Sequence, residues 1–455
     1  MITRTLAIAW LTLQEAIRSK LLLSLATLLV AGLVGLPLLI AGDNTLAGQI
    51  QVILTYTLAF TTGMLSITTL WTACGGLSME IQDRRLYLVI TKPLHRYELW
   101  LGKWAGMMAM NAGLLLLTGL IISAMIRYTI THSQESPQVK RGVTQQFLMA
   151  RQALTPLTPD WSTAAAEAAR KLIQSGQAPE GIPRGALEQR LIEEMGIRRF
   201  IVPPGGSIQF AFARPDLQDR TQDLILSYRF DSTRPERKPV AARWTVGSAP
   251  ENRSSFTVTN YPGLPATLVL ENKEAWGTHD LSVTYQRLDT GSQATLILAD
   301  RTQHPELLVP CGSFEMNLMR GLFVILCRLA FLAALGLAAG CLLSTPVAIF
   351  AAFFVIILMA SAGYIDTVAT SGVFYVPHEG PAEAPTWLDQ AILHLFRGFN
   401  AVTHPVTRLD PVPLLAAGRV VSGELTLLAL GWLAGLYTAI TALIGIALFN
   451  RRELG

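Results

Sequence analysis

Charged residues are scarce in this sequence: they make up 15% of its 455 residues, whereas 51% are hydrophobic. An average soluble protein has roughly 25% charged residues, so this shortage indicates a membrane protein. The net charge of +4 is small and unevenly placed, and no basic tail or patch accompanies it. This pattern argues against a nucleic-acid partner.

Cysteine is rare as well, with four residues in the chain. Cys74, Cys327 and Cys341 fall inside apolar runs, which leaves Cys311 as the one cysteine placed to face an oxidising compartment. Four cysteines in this arrangement do not make a disulfide framework, and no internal disulfide is expected.

Motifs for catalysis are missing too. The sequence has no G-x-x-x-x-G-K-[ST] phosphate loop, because "LGKW" at residues 101–104 is too short, so the chain is not expected to hydrolyse ATP by itself. No Ser-His-Asp, Cys-His or paired-carboxylate arrangement stands out, and we predict no catalytic residue. The spacing of His378, His394 and His404 matches no metal-site motif, and we predict no metal site.

Long apolar runs, by contrast, are abundant. A helix needs about 20 mostly apolar residues to cross a bilayer, because its backbone groups must be satisfied internally. The first such run, residues 21–40, is also compatible with a signal peptide. It exceeds the usual h-region of about 7–15 residues, so we expect an uncleaved helix. Six runs meet the required length: residues 21–40, 53–77, 101–126, 319–343, 347–364 and 420–449.

The placement of Lys and Arg predicts the orientation of these runs. Arg18 and Lys20 before the first run, the basic residues of 84–103, and Arg451 with Arg452 after the sixth all fall on one side. We therefore predict six spans in the inner membrane with both termini cytoplasmic. The segments 127–318 and 365–419 are then extracytoplasmic.

The first 20 residues mix apolar with polar side chains before the first run begins. This pattern is typical of a helix that lies along the membrane surface, here called the elbow helix. A simple extension of the first span into water fits the pattern equally well.

The large external segment changes composition along its length. Residues 127–198 are rich in Ala, Gln, Glu and Arg and are predicted to be helical, whereas residues 199–316 contain seven short alternating runs separated by turn residues. Such runs are typical of a β-sandwich or jelly roll. The second external segment, 365–419, contains one amphipathic helical stretch at residues 385–399.

The segment between the second and third runs, residues 78–104, carries most of the charge in its neighbourhood. Pro93 divides it into two short helices, because proline cannot continue a helix and disfavours helix in the preceding residue. A rigid charged segment between two spans is suited to receive force from a cytosolic partner. The alternative is a solvated basic loop that only fixes the topology.

This segment resembles the corresponding part of ABC-2 type transporter permeases. The family pattern is matched by Glu80, by "LYLVI", by Lys92 with Pro93, by Arg96 with Glu98, and by Gly102 with Lys103. "LQEAIRSKLLL" also resembles the family's elbow helix. Many members have Gly-Thr where this chain has Arg84 and Arg85. The resemblance covers the six-span body (21–126, 317–364 and 420–455) and not residues 131–311, where ordinary members have a short loop.

The resemblance implies a non-catalytic half-transporter that works as a homo- or heterodimer in the lipid bilayer. Its coupling helix, residues 78–91, would dock on a separate ATP-binding subunit, and that subunit would hold the ATP and Mg²⁺, with no cofactor on this chain. The residues implied in coupling are Glu80, Arg84, Arg85, Lys92, Pro93, Arg96, Glu98 and Lys103.

The second run is unusually rich in threonine. Thr57, Thr61, Thr68 and Thr72 fall on one narrow helical stripe, which predicts a dimer contact or a translocation path. In the alternative, each hydroxyl bonds a carbonyl of its own helix and does nothing else.

Arg328 lies well inside the fourth run, where an unpaired charge costs several kcal/mol, so a partner is expected. Glu424 and Asp366 are the candidate partners. A structural pair is favoured over a substrate site on the translocation path.

The sandwich predicts a substrate or partner bound outside the membrane: a glycan, a lipid or another envelope component. Sequence alone does not choose among them. The rival function is a non-transporting scaffold or sensor in which the spans only anchor the sandwich.

Overall fold

The structure, a computed structural model, describes residues 2–18, 20–40, 45–82, 95–157, 161–175, 184–198, 200–213, 223–232, 238–247, 253–264, 266–270, 280–288, 296–297, 305–361, 391–392, 394–400 and 408–451. It divides into two compact units, and each is described by itself. The helical unit comprises Met1–Val143 and Phe314–Gly455, and the sheet unit comprises Thr144–Ser313.

The helices are numbered in chain order. They are α1 Ile2–Arg18, α2 Leu21–Leu39, α3 Leu46–Gln82, α4 Arg96–His132, α5 Pro137–Phe147, α6 Ser162–Gln174, α7 Arg184–Arg198, α8 Phe314–Leu342, α9 Thr345–Ala360, α10 Val412–Ala416, α11 Gly423–Ala429 and α12 Thr438–Arg451. A π-helix, Leu430–Tyr437, joins α11 to α12.

Within the described residues, five helices are long and apolar enough to cross a membrane: Leu21–Leu39, Leu46–Gly76, Arg96–His132, Phe314–Leu342 and Gly423–Arg451. They correspond to five of the six predicted spans. The predicted run 347–364 falls on α9, which has 16 residues, and its last residues lie outside the described ranges. The fifth predicted span, 347–364, therefore stays a prediction.

Helix α8 packs on α3 through two glycines, Gly336 and Gly340. A Cβ added at Gly336 would lie 2.6 Å from the Cβ of Ala73, and one added at Gly340 would lie 2.7 Å from the carbonyl oxygen of Cys74. Small residues spaced by four positions allow helix backbones to approach closely in this way.

Helix α1 packs on α4 through a second pair of glycines four residues apart, Gly102 and Gly106. A Cβ at Gly102 would lie 2.6 Å from the Cβ of Ile8, and one at Gly106 would lie 2.8 Å from the carbonyl oxygen of Ala9. Lys20 has a φ of 58°, a left-handed conformation that separates α1 from α2. The first residues thus form a separate helix rather than a continuation of α2.

The described residues of the sheet unit form eleven strands: β1 Met149–Leu154, β2 Ile201–Val202, β3 Ser207–Phe212, β4 Leu224–Tyr228, β5 Asp231–Ser232, β6 Val240–Gly247, β7 Ser254–Asn260, β8 Ala266–Leu270, β9 Leu281–Arg287, β10 Leu296–Ile297 and β11 Glu306–Ser313. Two four-stranded sheets have the orders β1-β11-β4-β8 and β3-β9-β6-β7, and three short strands pair as β2-β10-β5. All the recorded pairs are antiparallel.

The two four-stranded sheets share one hydrophobic core. Phe210 of β3, Leu226 of β4, Trp244 of β6 and Leu307 of β11 are all buried in it. Each of the seven predicted alternating runs contains a strand, but β1 lies inside the segment predicted to be helical. It pairs with β11 from Met149 to Leu154, and its Arg151 is fully buried.

Three aromatic rings contact one another in this core, in tilted and edge-to-face arrangements. The centroid of Trp244 lies 4.6 Å from that of Tyr228 and 4.8 Å from that of Tyr285. Burial raises the pKa of both tyrosines above the ordinary phenol value. The Tyr285 hydroxyl has no hydrogen-bond partner within the described part of the chain.

We expect Gly340→Val to lower the thermal unfolding midpoint of the detergent-solubilised protein. The added side chain meets the Cys74 backbone, which cannot rotate away, and overpacking of this kind costs about 1–3 kcal/mol. Gly63→Val is the matched control, because a Cβ at Gly63 meets nothing within 4 Å. Equal midpoints for the two variants would contradict a close α3–α8 contact.

We expect Tyr285→Phe to keep the neutral-pH stability and to weaken the loss of stability above about pH 10. Unfolded tyrosine ionises near pH 10. The raised pKa of Tyr285 keeps the folded phenol neutral, so its stabilising contribution is present below that pH and is lost as pH rises. Circular dichroism melts across the alkaline range measure this. Tyr261→Phe, at an exposed ring, should follow the unmodified protein.

Candidate functional site at the start of helix α4

The residues predicted to couple to an ATPase are described only in part. Arg84, Arg85, Lys92 and Pro93 lie outside the described residues. Glu80 belongs to the last turn of α3, and its side chain is likewise outside them. The other three predicted residues, Arg96, Glu98 and Lys103, lie in the first turns of α4, which form the last part of the charged segment.

Glu98 forms the beginning of α4. It is only 2% exposed, and its Oε2 accepts a hydrogen bond of 3.2 Å from the backbone nitrogen of His95. A glutamate at the third helical position accepts a hydrogen bond from a backbone N–H that has no partner within the helix. A negative charge there is also favourable, because the N-terminus is the positive end of the helix dipole. The charge of Glu98 is therefore used to begin the helix within the charged segment.

Arg96 connects α4 to the end of α12. Its Nη1 donates hydrogen bonds to the carbonyl oxygens of Phe449 and Asn450, the second at 3.2 Å. Its guanidinium carbon also lies 5.4 Å from the centroid of the Phe449 ring. The last carbonyls of a helix have no partner within it, so a cation there is favourable.

Trp100 lies at the centre of a buried cluster that joins α4 to its neighbours. Trp100 is 1% exposed and belongs to the same cluster as Ile8 of α1, Ala73 of α3, Leu337 of α8 and Phe449 of α12. Close-packed interiors transmit strain rather than absorb it. A displacement of the first turns of α4 must therefore move several helices together.

Lys103 belongs to the same turns and is 8% exposed. Gly102 beside it receives Ile8 of α1. The next residue, Trp104, donates from Nε1 to the carbonyl oxygen of Ala330 at 3.0 Å. The first two turns of α4 are thus enclosed by other helices.

The hydroxyls of the threonine stripe all bond within α3. Thr57 donates to the carbonyl oxygen of Ile53, and Thr61 donates to that of Thr57 at 2.7 Å. Thr68 and Thr72 donate to the carbonyl oxygens four residues earlier, at 2.9 and 2.8 Å. These bonds correspond to the alternative in which each hydroxyl serves its own helix, and the translocation path stays a prediction.

A polar contact that the sequence did not reveal joins α3 to α4. Asn111 donates from Nδ2 to Oγ1 of Thr69 at 2.9 Å, and both side chains are fully buried. An asparagine within an apolar run is the signal that would have identified it, because an amide in lipid needs a partner.

Arg328 lies in the middle of α8 and is half-buried. Asp410, which the sequence analysis did not propose, is near enough to attract its charge, but the two described side chains form no ion pair. Glu424 is exposed on the first turn of α11, and Asp366 lies outside the described residues. The Nε of Arg328 has no hydrogen-bond partner among the described residues.

Asp410 is positioned by the short helix α10. Its Oδ1 accepts a hydrogen bond of 3.0 Å from the backbone nitrogen of Val412. Leu415 of α10 packs directly over Gly321 of α8, where a Cβ would collide with it. Asp410 and Pro411 directly precede α10. Such a pair is a helix-start signal, and it can be recognised in the sequence alone.

Asn317 of α8 holds the chain just after α10. Its Nδ2 donates to the carbonyl oxygen of Arg419 at 2.8 Å, and its Oδ1 accepts from the backbone nitrogen of Val421 at 2.7 Å. The segment between α10 and α11 is thus tied to α8 by one buried side chain. No sequence pattern indicated this role.

Comparison with models of known protein families, with curated proteins and with solved structures yields no match to this chain. Of the three external histidines considered, His378 and His404 lie outside the described residues. Within the described residues, no group of three or more His, Cys, Asp or Glu side chains could hold a metal ion.

We expect the effects of Asp410→Asn and Arg328→Met on the stability of the helical unit to be non-additive, because Asp410 attracts the charge of Arg328. Both residues are half-buried, and groups that interact are coupled by about 0.5–3 kcal/mol in a double-mutant cycle. Thermal unfolding in detergent measures the three variants. Glu424→Gln is the control and should change little, because Glu424 is exposed. Additive single effects would contradict the coupling.

Proposed function

We propose that this chain is the permease subunit of an ABC-2 type exporter, acting as a dimer with two copies of a separate ATP-binding subunit. In this proposal the chain lies in the inner membrane, both termini are cytoplasmic, and the sheet unit is extracytoplasmic. The chain itself is not catalytic, and ATP and Mg²⁺ are held by the partner.

The observation that supports the proposal is the packing at the start of α4. This helix begins inside the charged segment, residues 78–104, that resembles the family's coupling region. Its first turns contact α1 through Gly102 and Gly106, bond to the end of α12 through Arg96, and bury Trp100 among four other helices. An anchor or a loop that only fixes topology does not require such a junction.

The mechanism that fits this junction is mechanical. ATP binding would close the two ATP-binding subunits and push on residues 78–94. Because the start of α4 is packed on several helices, the push would move them as a group and open a path between the two permease copies. This step is a hypothesis carried over from the family resemblance.

The cargo is an extracytoplasmic or membrane component: a glycan, a lipid or an envelope component. The sheet unit, with eleven strands in its described residues and its own core, is a folded module suited to bind such a component. The rival function is a scaffold or sensor in which this module does the work, and the experiment below separates the two.

The test is to solubilise the tagged full-length protein from its native membrane in mild detergent and to identify bound proteins by mass spectrometry. We expect an ATP-binding subunit in a 1:1 ratio with this chain. The triple variant Glu80→Lys, Arg84→Glu, Arg85→Glu should lose that subunit while keeping its membrane insertion and thermal unfolding midpoint. Arg96 is left unchanged, because it holds the end of α12.

A charge reversal at Arg243, which is exposed on strand β6, is the matched control and should retain the subunit. Retention of the ATP-binding subunit by the triple variant would contradict a docking role for residues 78–91. A preparation that contains only envelope proteins would contradict the exporter and favour the scaffold.

A further inference from the structure

One groove in the helical unit is not used by the proposed coupling mechanism. It has a volume of about 730 Å³ and is formed by the last turns of α2, the first turns of α3 and the last turns of α4. The lining is mostly apolar, with Pro37, Ile53 and Met125 among its residues, and none of the described residues that line it carries a charge.

The groove exists because α2 leaves its neighbours near its end. Gly32 approaches the ring of Phe60 so closely that a Cβ would collide with it, and Leu33 is fully buried. Beyond Pro37, Leu38 and Leu39 are 81% and 83% exposed. Proline inside a helix removes a hydrogen bond and clashes with the preceding turn, so it bends the helix at this level.

Polar and apolar residues are separated along the groove. Gln49 and Tyr128 lie near the ends of α3 and α4. Ile53 and Ala124 are four residues further from those ends, which is about 6 Å at 1.5 Å per residue. On α3 and α4 the polar residues are therefore at the surface end and the apolar residues are deeper, the same order as in a membrane lipid, while α2 lines the surface end with Leu38 and Ile40.

We propose that this groove binds the upper part of one acyl chain of a bilayer lipid, with the head group at the level of Gln49 and Tyr128. The inference rests on the proposed function in one respect, which is that α2, α3 and α4 cross the membrane. A space of this size is far larger than the voids of a packed interior, and an apolar cavity does not hold water stably. In a bilayer, the acyl chain is the apolar group that surrounds it.

A helix of a second copy does not fit the groove. A helix is about 10–12 Å across with its side chains, and it packs along its length. The lining on α2 extends from Val34 to Ile40, about 9 Å along the axis, and the contact of Gly32 with Phe60 closes the groove below. An acyl chain enters such a short, narrow slot from its polar end inward.

The experiment is photolabelling of the full-length chain in vesicles of phosphatidylethanolamine and phosphatidylglycerol. A trace of phosphatidylcholine carries a diazirine in the upper part of its acyl chain, and mass spectrometry locates the adducts. We expect adducts concentrated on the α2, α3 and α4 residues of the groove. Ala124→Trp fills the groove and should reduce these adducts roughly tenfold, equivalent to about 1.4 kcal/mol of binding.

Leu120→Trp is the matched control, because Leu120 is 71% exposed on the same helix, one turn from Ala124 and outside the lining. It should leave the groove adducts unchanged. Pro37→Leu is a second variant that straightens α2, and it should also reduce labelling if Ala124→Trp fails to insert.

Adducts spread evenly over exposed residues such as Leu427 and Leu443, with no response to Ala124→Trp, would show ordinary boundary lipid and overturn the proposal. A disulfide between two copies of an Ala124→Cys variant, with groove adducts absent, would overturn it in favour of a protein occupant. The labelling needs no ATP-binding subunit, so failure of the exporter proposal and failure of this one are distinguishable.

Discussion

Helices in lipid gain little by burying apolar side chains against one another, because lipid chains are as apolar as leucine. They associate where their backbones can come close, and in this protein glycine provides those places. Gly336 and Gly340 bring α8 onto α3, and Gly102 and Gly106 bring α1 onto α4. The buried cluster around Trp100 depends on both contacts, since its members come from all four of these helices and from α12.

Polar groups in the helical unit are mostly used to complete backbone hydrogen bonding. Glu98 caps the start of α4, Arg96 caps the end of α12, and Asn317 bonds both sides of the segment before α11. These bonds explain how charged and amide side chains are accommodated among apolar helices at a tolerable cost. Arg328 differs, because the group that attracts its charge is the carboxylate of Asp410 rather than a helix end.

Much of the architecture could be predicted from periodicity, because long apolar runs are typical of membrane-spanning helices and alternating runs are typical of strands. What could not be predicted depends on contacts between distant residues. The sequence of β1 looks polar because it contains Arg151. In the structure this side chain is buried, and it donates hydrogen bonds to the carbonyl oxygens of Asp223 and Leu308. Asp410 was not among the acidic residues proposed for Arg328, because only the packing of α10 on α8 brings its segment near. The coupling segment itself stays a prediction.

The bond from Arg96 to Asn450 joins residues 354 positions apart in the chain. At a synthesis rate of roughly 5–20 residues per second, the ribosome makes Asn450 about 18–70 seconds after Arg96. The sheet unit can close earlier, since the pairing of β1 with β11 is complete at Ser313. During biogenesis the start of α4 therefore waits, with its arginine unbound to α12, until the last helix has been synthesised.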